Sequence, residues 1–248
     1  MSEVVIITGG SRGIGAATAE LAAHRGYDVC LSYHRDESAA QRVISAIEKA
    51  GRRAIAIKGD VASEADVVRL FDSCTRELGT PVGLVNNAGI VAVQSRVEDM
   101  SAERLQRMFA VNIMGSMLCA REAVKCMSTN NGGRGGSIVN LSSAAARIGS
   151  PHEFVDYAAS KGAIDSFTLG LAKEVAAEGI RVNAVRPGLI DTEIHASSGE
   201  PGRIERLRSA IPMQREGSAE EVARSILWLL SDDSSYTTAT FIEVSGGR

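Results

Sequence analysis

Residues 4–15 of the chain read VVIITGGSRGIG, an apolar run followed by a glycine-rich turn. The run predicts a buried first strand, and the periodicity from Gly13 onward predicts a helix. Glycines let the chain turn sharply and let an anion approach the backbone, while free amides at the helix start supply donors. We predict an anion-binding turn, although a purely structural turn of this composition stays open, because the spacing G-x-x-x-G-x-G differs from the generic G-x-G-x-x-G pattern.

Apolar runs alternate with segments of helical periodicity along the rest of the chain. Strands are predicted at Val4–Thr8, Asp28–Tyr33, Arg53–Lys58, Val82–Asn86, Ser137–Leu141, Ile180–Val185 and Phe241–Val244. Helices are predicted at Gly13–Arg25, Ser38–Ala50, Glu64–Leu78, Ala102–Met127, Phe154–Glu178 and Ala219–Leu230. This alternation is typical of a parallel sheet covered on both faces. The predicted fold is α/β, a doubly wound Rossmann fold with a seven-stranded parallel sheet and helices on both faces.

Length and composition indicate a single domain over residues 1–248. The chain has 248 residues, of which 44% are hydrophobic, and 27 Lys+Arg against 30 Asp+Glu give a net charge of −3. This balance lacks the broad positive potential that binding to nucleic acid or an acidic membrane requires. There is no apolar run of about 18 residues, and no room for a charged leader before Val4. We expect a cytoplasmic protein without nucleic-acid or membrane partners.

The cysteines and histidines are scattered along the chain, so we expect neither a disulfide framework nor a metal site. They are Cys30, Cys74, Cys119, Cys126, His24, His34, His152 and His195.

Two stretches interrupt the alternation of strands and helices. Asn130–Gly136 is rich in glycine and asparagine, which predicts a tight connector before the fifth strand. Residues 189–217, which include Pro201 and Pro212, are too long for an ordinary connection. We predict that this second stretch is a substrate lid.

The end of the second predicted strand bears on the choice of dinucleotide. In dinucleotide-binding folds, sites for NAD, which lacks the 2′-phosphate of NADP, usually place an acidic residue about 20 residues beyond the glycine turn. Here the sequence is Ser-Tyr-His-Arg at residues 32–35. Arg12 in the turn and Arg35 can both reach a 2′-phosphate, which predicts NADP. Two solvated surface arginines, and hence use of NAD, stay open.

A tyrosine and a lysine stand one helical turn apart near the start of a long predicted helix. Tyr157 and Lys161 are four positions apart, so their side chains project from one face. The preceding strand ends in Asn140-Leu141-Ser142-Ser143, and its carboxyl end opens toward the same crevice as the glycine turn. We predict that the two groups act together.

In their order along the chain, these motifs resemble the short-chain dehydrogenase/reductase family over essentially the whole length. The resemblance rests on Thr8-Gly9-x-x-x-Gly13-x-Gly15, Asp60-Val61, Asn86-Asn87-Ala88-Gly89, Asn112, Ser142-Ser143, Tyr157-x-x-x-Lys161 and Pro187-Gly188 with Thr192.

The resemblance implies a catalytic set of four residues. Tyr157 is expected to be the general acid/base, Ser143 a donor to the substrate oxygen, Lys161 a ribose and charge partner, and Asn112 the anchor of a proton-relay water. A phenol titrates near pH 10. We therefore expect the lysine ammonium and, for oxidation, the positive nicotinamide ring to lower the tyrosine pKa.

The resemblance also implies the contacts of the dinucleotide. Residues of the glycine turn, the second strand end, the adenine edge, the segment after the fourth strand, the catalytic helix and the loop after the sixth strand are expected to bind it. They are Gly9, Ser11, Arg12, Gly13, Ile14, Gly15, Tyr33, Arg35, Asp60, Val61, Asn87, Ala88, Gly89, Tyr157, Lys161, Pro187, Gly188, Ile190 and Thr192.

The implied function is an NADP-dependent oxidoreductase that interconverts a secondary alcohol and a ketone, acting on CH–OH donors. A 3-oxoacyl-carrier reductase and a sugar dehydrogenase stay open within the enzyme class. Glu174 and Glu178 disfavour an acidic carrier protein, because they stand where such relatives often place basic residues. A cofactor-binding regulatory protein without turnover is the alternative from another class, and such proteins usually lack the tyrosine or the lysine.

Two further expectations concern the substrate loop and the assembly. The spacing from Ser143 to Tyr157 is one residue longer than the family's commonest spacing, which enlarges the loop beside the substrate. His152 and Glu153 in this loop are expected to be exposed or to offer polar contacts to a hydroxylated substrate. The two longest predicted helices are rich in small and apolar residues, and relatives pair such helices, so a homotetramer is expected.

Overall fold

The computed structural model describes residues 3–193, 199–200 and 202–248. The strands are β1 Val4–Ile7, β2 Asp28–Tyr33, β3 Ala54–Lys58, β4 Gly83–Asn86, β5 Gly136–Leu141, β6 Ile180–Pro187, β7 Ile190–Asp191, β8 Gly217–Ser218 and β9 Phe241–Val244. Seven of them form a parallel sheet in the order β3-β2-β1-β4-β5-β6-β9. The predicted doubly wound α/β fold and its single domain are confirmed.

Helices cover both faces of the sheet. They are α1 Gly13–His24, α2 Glu37–Lys49, α3 Glu64–Glu77, α4 Ala102–Phe109, α5 Ser116–Met127, α6 Ala145–Ile148, α7 Val155–Val175, α8 Arg203–Leu207 and α9 Ala219–Leu230. Short 3₁₀ turns occupy Val97–Asp99, Thr129–Asn131, Ala176–Glu178, Arg208–Ala210 and Asp232–Ser234.

Successive side chains of β1 enter two different cores. Val5 and Ile7 pack in the core formed with α1, α2 and α9, whereas Val4 and Ile6 pack in the core formed with α3, α5 and α7. Side chains alternate between the two faces of a strand, so a sheet covered on both sides needs apolar residues at every position. This requirement is why β1 reads as an unbroken apolar run in the sequence.

The sheet order reverses direction beside β1, and this reversal positions the site. β1 pairs with β2 on one side and with β4 on the other. The chain leaves β1 and β4 toward opposite faces of the sheet, and a crevice opens at their carboxyl ends. The glycine turn follows β1 directly, and Asn87 follows β4.

The single helix predicted at Ala102–Met127 was wrong in one respect. A π-helical segment, Ala110–Gly115, separates α4 from α5. At its end a Cβ on Gly115 would lie 2.7 Å from Cγ2 of Val61, so the backbone must pass close to the strand-to-helix loop there. A single π-helical segment changes the mean spacing of apolar residues along the predicted helix very little, so the periodicity of the sequence did not reveal this segment.

The stretch 189–217 contains structure that the sequence did not indicate. Its two ends pair as β7 and β8, with Ile190 opposite Gly217 and Asp191 opposite Ser218, and α8 lies between them. Pro201 lies outside the described residues, and Pro212 is exposed. The role of this stretch as a lid stays a prediction.

Within the described ranges, no helix has the length and apolar character needed to cross a membrane. The four cysteines are free thiols, of which three are buried and Cys126 is partly buried. Among the same residues, which exclude His195, no cluster of potential ligands could hold a metal ion.

Candidate active site

Hydrogen bonds join the glycine turn to the segment that follows β4. The hydroxyl oxygen of Thr8 accepts from the backbone amides of Asn87 and Ala88, each at 3.0 Å. In return, Nδ2 of Asn87 donates to the carbonyls of Thr8 at 2.9 Å and Gly9 at 3.0 Å. The amide of Gly9 also donates to Oγ of Ser32 at 3.1 Å. Two short polar side chains, on Thr8 and Asn87, therefore fix the floor of the crevice.

The glycine turn leaves no room for side chains on its inner surface. Gly9 and Gly13 have φ values of +62° and +53°. A Cβ on Gly15 would lie 2.4 Å from the carbonyl oxygen of Gly9 and 2.5 Å from Nδ2 of Asn87. A Cβ on Gly13 would lie 3.4 Å from Cγ2 of Thr192. No side chain covers the backbone at these three glycines, and Thr192 lies beside Gly13.

Helix α1 begins at this turn without a side-chain cap. Its N-cap residue, Arg12, is extended and makes no capping hydrogen bond, and no acidic residue occupies the first turn. The amides of the first turn and the positive end of the helix dipole are therefore available to an anion. Ser11 and Ile14 are partly buried in the same turn. These features fit the pyrophosphate of a dinucleotide.

The end of β2 carries the residues that bear on a 2′-phosphate. Tyr33 is buried, whereas Arg12 and Arg35 are exposed. Neither guanidinium makes an ion pair within ranges 3–193, 199–200 and 202–248. Among the described residues, these two cations beside the turn have no acidic partner.

The predicted adenine edge is tied to α4. Arg107 donates to Oδ2 of Asp60 at 2.7 Å, and Nε2 of His34 lies 3.8 Å from the same oxygen. Burial raises the pKa of Asp60, but the hydrogen bonds from Arg107 and from the amide of Ala62, together with the positive charge of Arg107, outweigh it, and the net pKa is lowered. Val61 is buried against Gly115. The carboxylate is therefore ionised and already paired.

Three of the four predicted catalytic side chains converge at the start of α7. Nζ of Lys161 lies 5.6 Å from the centroid of the Tyr157 ring. The hydroxyl of Ser143, just beyond β5, lies close to the Tyr157 phenol and acts to lower its pKa. Lys161 is buried and donates to the carbonyl of Leu141 at 2.6 Å. Tyr157 is thus close to the hydroxyl of Ser143 and to the ammonium of Lys161.

The pKa of Tyr157 is raised, which is opposite to the expected direction. Burial raises the pKa of the phenol, and the hydroxyl of Ser143 only partly opposes this rise. Burial also lowers the pKa of Lys161 to about 8, and its ammonium donates to a backbone carbonyl. The phenol therefore stays protonated at neutral pH in the protein without cofactor.

Asn112, the fourth predicted catalytic residue, lies inside the π-helical segment. Its Oδ1 accepts from the amide of Ile90 at 2.8 Å, and its Nδ2 donates to the carbonyl of Ile90 at 3.0 Å and to Oγ of Ser160 at 3.1 Å. A Cβ on Gly89 would lie 3.4 Å from Oδ1 of Asn112 and 3.7 Å from Nζ of Lys161. Because Gly89 lacks a side chain, it does not fill the space in which Oδ1 of Asn112 and Nζ of Lys161 approach each other.

The segment after β6 lies beside the carboxyl end of β5, which Ser143 follows. The carbonyl of Pro187 accepts from the amide of Ala144 at 2.9 Å. Gly188 approaches the chain after β9 so closely that its Cβ would lie 2.7 Å from Cα of Ser245. Ile190 begins the small second sheet. The loop after β6, which the sequence predicts to bind the dinucleotide, is therefore adjacent to Ser143.

Comparison with known proteins agrees with this geometry. A family model described as enoyl-(acyl carrier protein) reductase matches residues 9–248. The uncharacterized oxidoreductase YgfF of Escherichia coli K12 is 55% identical over 245 residues, which is 99% of each chain. A solved short-chain dehydrogenase from Burkholderia cenocepacia J2315, in complex with NADP, superposes with a TM-score of 0.91 at 32% identity, covering 99% of this chain and 97% of that one.

The chain belongs to the short-chain dehydrogenase/reductase family. It is an oxidoreductase, as the sequence resemblance predicted. Another short-chain relative, 3beta-hydroxysteroid dehydrogenase 1 of Eggerthella lenta, is 39% identical and covers 99% of this chain and 93% of its own.

Sequence reasoning missed residues that support the site of this short-chain dehydrogenase/reductase. Asp156, directly before Tyr157, is fully buried and paired with Arg104 of α4 at 2.8 Å. Glu153 is neither simply exposed nor free for a substrate, because Arg203 at 2.6 Å and Arg206 at 2.7 Å both pair with it. The available signal was weak: a carboxylate beside the catalytic tyrosine in the first turn of the helix.

We expect the buried lysine to make the stability of this short-chain dehydrogenase/reductase depend on pH. The pKa of Lys161 falls from 10.5 to about 8 on folding. Between these values the unfolded chain binds more protons, so stability rises with pH, and the cost of burying the ammonium is fully present below pH 8. Lys161→Met removes this cost, and its stability relative to wild type should decline by about 3 kcal/mol from pH 7 to pH 11. Urea unfolding of the cofactor-free proteins at a series of pH values measures the difference.

Lys173→Met is the matched control, because it removes an exposed ammonium from the same helix. Its stability should follow that of the wild type at every pH. Parallel pH profiles for Lys161→Met and the wild type would contradict the expectation.

Proposed function

We propose that the chain is an NADP-dependent oxidoreductase that interconverts a secondary alcohol and a ketone. The convergence of Tyr157, Ser143, Lys161 and Asn112 at the carboxyl ends of β4 and β5 carries this proposal. When bound, the dinucleotide supplies the hydride. The bare glycine turn, the uncapped start of α1 and the open space at Gly89 fit such a molecule.

Each catalytic side chain has a distinct task in this proposal. Tyr157 donates its proton to the carbonyl oxygen during reduction and takes it back during oxidation. Ser143 orients that oxygen through its hydroxyl, and Lys161 binds the ribose and supplies positive charge. Asn112, which already bonds the backbone of Ile90, anchors a water that relays protons. The raised pKa of the phenol keeps the proton that reduction needs at neutral pH.

The same proposal assigns the dinucleotide contacts. The glycine turn would hold the pyrophosphate, Asp60 and Val61 would edge the adenine, and the segment after β6 would hold the carboxamide. The full set is Gly9, Ser11, Arg12, Gly13, Ile14, Gly15, Tyr33, Arg35, Asp60, Val61, Asn87, Ala88, Gly89, Tyr157, Lys161, Pro187, Gly188, Ile190 and Thr192.

The choice of NADP rests on Arg12 and Arg35, and Arg35→Ala tests it. A guanidinium bonded to a phosphate contributes about 1.5–3 kcal/mol, so the KM for NADPH should rise about 10-fold or more, with the KM for NADH unchanged. Steady-state kinetics with both cofactors measures this. Arg42→Ala, an exposed arginine of α2, is the control and should alter neither value. A clear preference of the wild type for NADH would contradict the assignment.

A substrate panel tests the reaction itself. Ketones, sugars and 3-oxoacyl thioesters assayed with both cofactors separate the secondary-alcohol proposal from a sugar dehydrogenase and a carrier-linked reductase. Glu174 is exposed, and the partly buried Glu178 accepts a hydrogen bond from the hydroxyl of buried Ser128. A neutral hydroxyl does not cancel the charge of a carboxylate, so the two residues still disfavour an acidic carrier protein. The described part of 189–217 is proposed to close over the substrate.

A homotetramer built on the long helices completes the proposal. Met117 on α5 and Leu169 on α7 are large apolar residues exposed on these helices. Light scattering of the pure protein measures the assembly, and a monomer would contradict it. Residence in the cytoplasm stays a prediction.

A further inference from the structure

A buried ion pair lies directly beside the catalytic tyrosine. The carboxylate of Asp156 is fully buried, and Arg104 is 17% exposed. Nε of Arg104 donates to Oδ2 of Asp156 at 2.8 Å, and Nη2 donates to Oδ1 at 3.3 Å. This two-point geometry fixes the relative orientation of α4 and the first turn of α7 more tightly than a single contact would.

The same pair reaches the backbone of the tyrosine. Oδ1 of Asp156 accepts from the amide of Tyr157 at 2.9 Å. One turn further along, Oγ of Ser160 donates to the carbonyl of Tyr157 at 2.7 Å and accepts from Nδ2 of Asn112 at 3.1 Å. Both peptide groups of Tyr157 are thus bonded to side chains, those of Asp156 and Ser160. Arg104 of α4 and Asn112 of the π-helical segment hold these two side chains in place.

Arg104 has a third contact, which reaches the loop after β4. Its Nη1 donates to the carbonyl of Val93 at 2.6 Å. Val93 is exposed and lies against Gly199, whose Cβ would be 3.4 Å from Cγ1 of Val93. The amide of nearby Ser95 donates to the carbonyl of Glu153 at 3.0 Å. One guanidinium therefore connects the catalytic turn with the loop after β4.

We infer that Arg104 and Asp156 are positioning residues that set the phenol of Tyr157 relative to the bound substrate. This inference rests on the proposed function, because the tyrosine must be the proton donor. Neither side chain is free to touch substrate: Asp156 is buried, and Arg104 is engaged by Asp156 and Val93. Their effect acts through the backbone of α7, and a displacement of about 1 Å at a reacting group can lower a rate about 100-fold.

Arg104→Lys is the main test, since it keeps the charge but loses the planar fork. We expect kcat to fall about 10- to 100-fold with the best substrate of the panel, with the Kd for NADPH changed by less than 2-fold. Exchange of the Tyr157 amide hydrogen, followed by mass spectrometry of the peptide that contains it, should quicken.

Arg53→Lys is the matched control, because Arg53 makes the same kind of contacts at the opposite end of the sheet. It donates to buried Asp28 at 2.8 Å and to the carbonyl of Leu78 at 2.8 Å. Arg53 is more exposed than Arg104, and Asp28 keeps Arg52 as a second partner, so Arg53→Lys should cost less stability than Arg104→Lys. We expect both to lower Tm, but only Arg104→Lys to lower kcat and to quicken exchange at Tyr157.

Asp156→Asn is the second variant, and it should change kcat and exchange in the same direction. A kcat within 3-fold of the control in either variant, or unchanged exchange at Tyr157, would overturn the inference. If the wild type turns over no member of the panel, the proposed function fails, and exchange at Tyr157 in the variants and the control then decides separately whether the pair positions this turn.

Discussion

Tyr157→Phe should lower kcat by about 10²- to 10⁴-fold while the affinity for NADPH stays within about 2-fold of wild type. The variant removes one hydroxyl, and with it the proton that the phenol exchanges with the substrate oxygen. The ring and its packing beside Lys161 remain, so the fold and the cofactor contacts should be preserved. Steady-state kinetics and fluorescence titration with NADPH measure the two quantities.

The same variant separates an enzyme from a cofactor-responsive regulatory protein. A regulatory protein would bind NADPH with no turnover in either form. Full turnover by Tyr157→Phe would contradict the assignment of the proton donor and would direct attention to another acid in the crevice. All four predicted catalytic positions are filled here, which favours the enzyme.

Gly15→Ala should raise the Kd for NADPH about 100-fold, which corresponds to nearly 3 kcal/mol of binding free energy. The added methyl would lie 2.4 Å from the carbonyl oxygen of Gly9 and 2.5 Å from Nδ2 of Asn87. The turn must open to admit it, and the amides that should bind the pyrophosphate would move with the turn. Calorimetric titration with NADPH measures the change.

Gly170→Ala is the control for this substitution. Nothing lies within 4 Å of a Cβ at this position of α7, so the variant should bind NADPH like wild type and be about 0.5–1 kcal/mol more stable. Asn87→Ala, which removes the two hydrogen bonds to the turn without adding an atom, should also weaken binding. Unchanged affinity in both Gly15→Ala and Asn87→Ala would contradict the placement of the pyrophosphate.

The strands could be predicted from sequence because each is a short run rich in apolar residues and bounded by turn residues. Asp28–Tyr33 and Phe241–Val244 agree with the structure residue for residue. Burial on both faces demands an unbroken apolar segment, and this pattern is visible without knowledge of the neighbours. The helix predicted through Ala110–Gly115 failed because one widened turn does not alter an averaged period.

The residues of the candidate site likewise fall into two groups, those that the sequence predicts and those that only the fold brings together. Residues with chemistry in a recognisable order, such as Tyr157 and Lys161, could be predicted from the sequence, although their roles await the tests above. The partners of Asp156 and Glu153 could not, because Arg104 and Arg203 are far away along the chain and only the fold brings them close. The pKa direction of Tyr157 also depends on burial, which sequence does not measure.

The short ladder between Ile190 and Gly217 has a consequence for protein engineering. It keeps the two strands side by side, so both ends of the chain that joins them are anchored to each other. Libraries that vary this chain but retain Arg203 and Arg206, which pair with Glu153 just before α7, should explore new substrate ranges while the sheet and α7 keep their geometry.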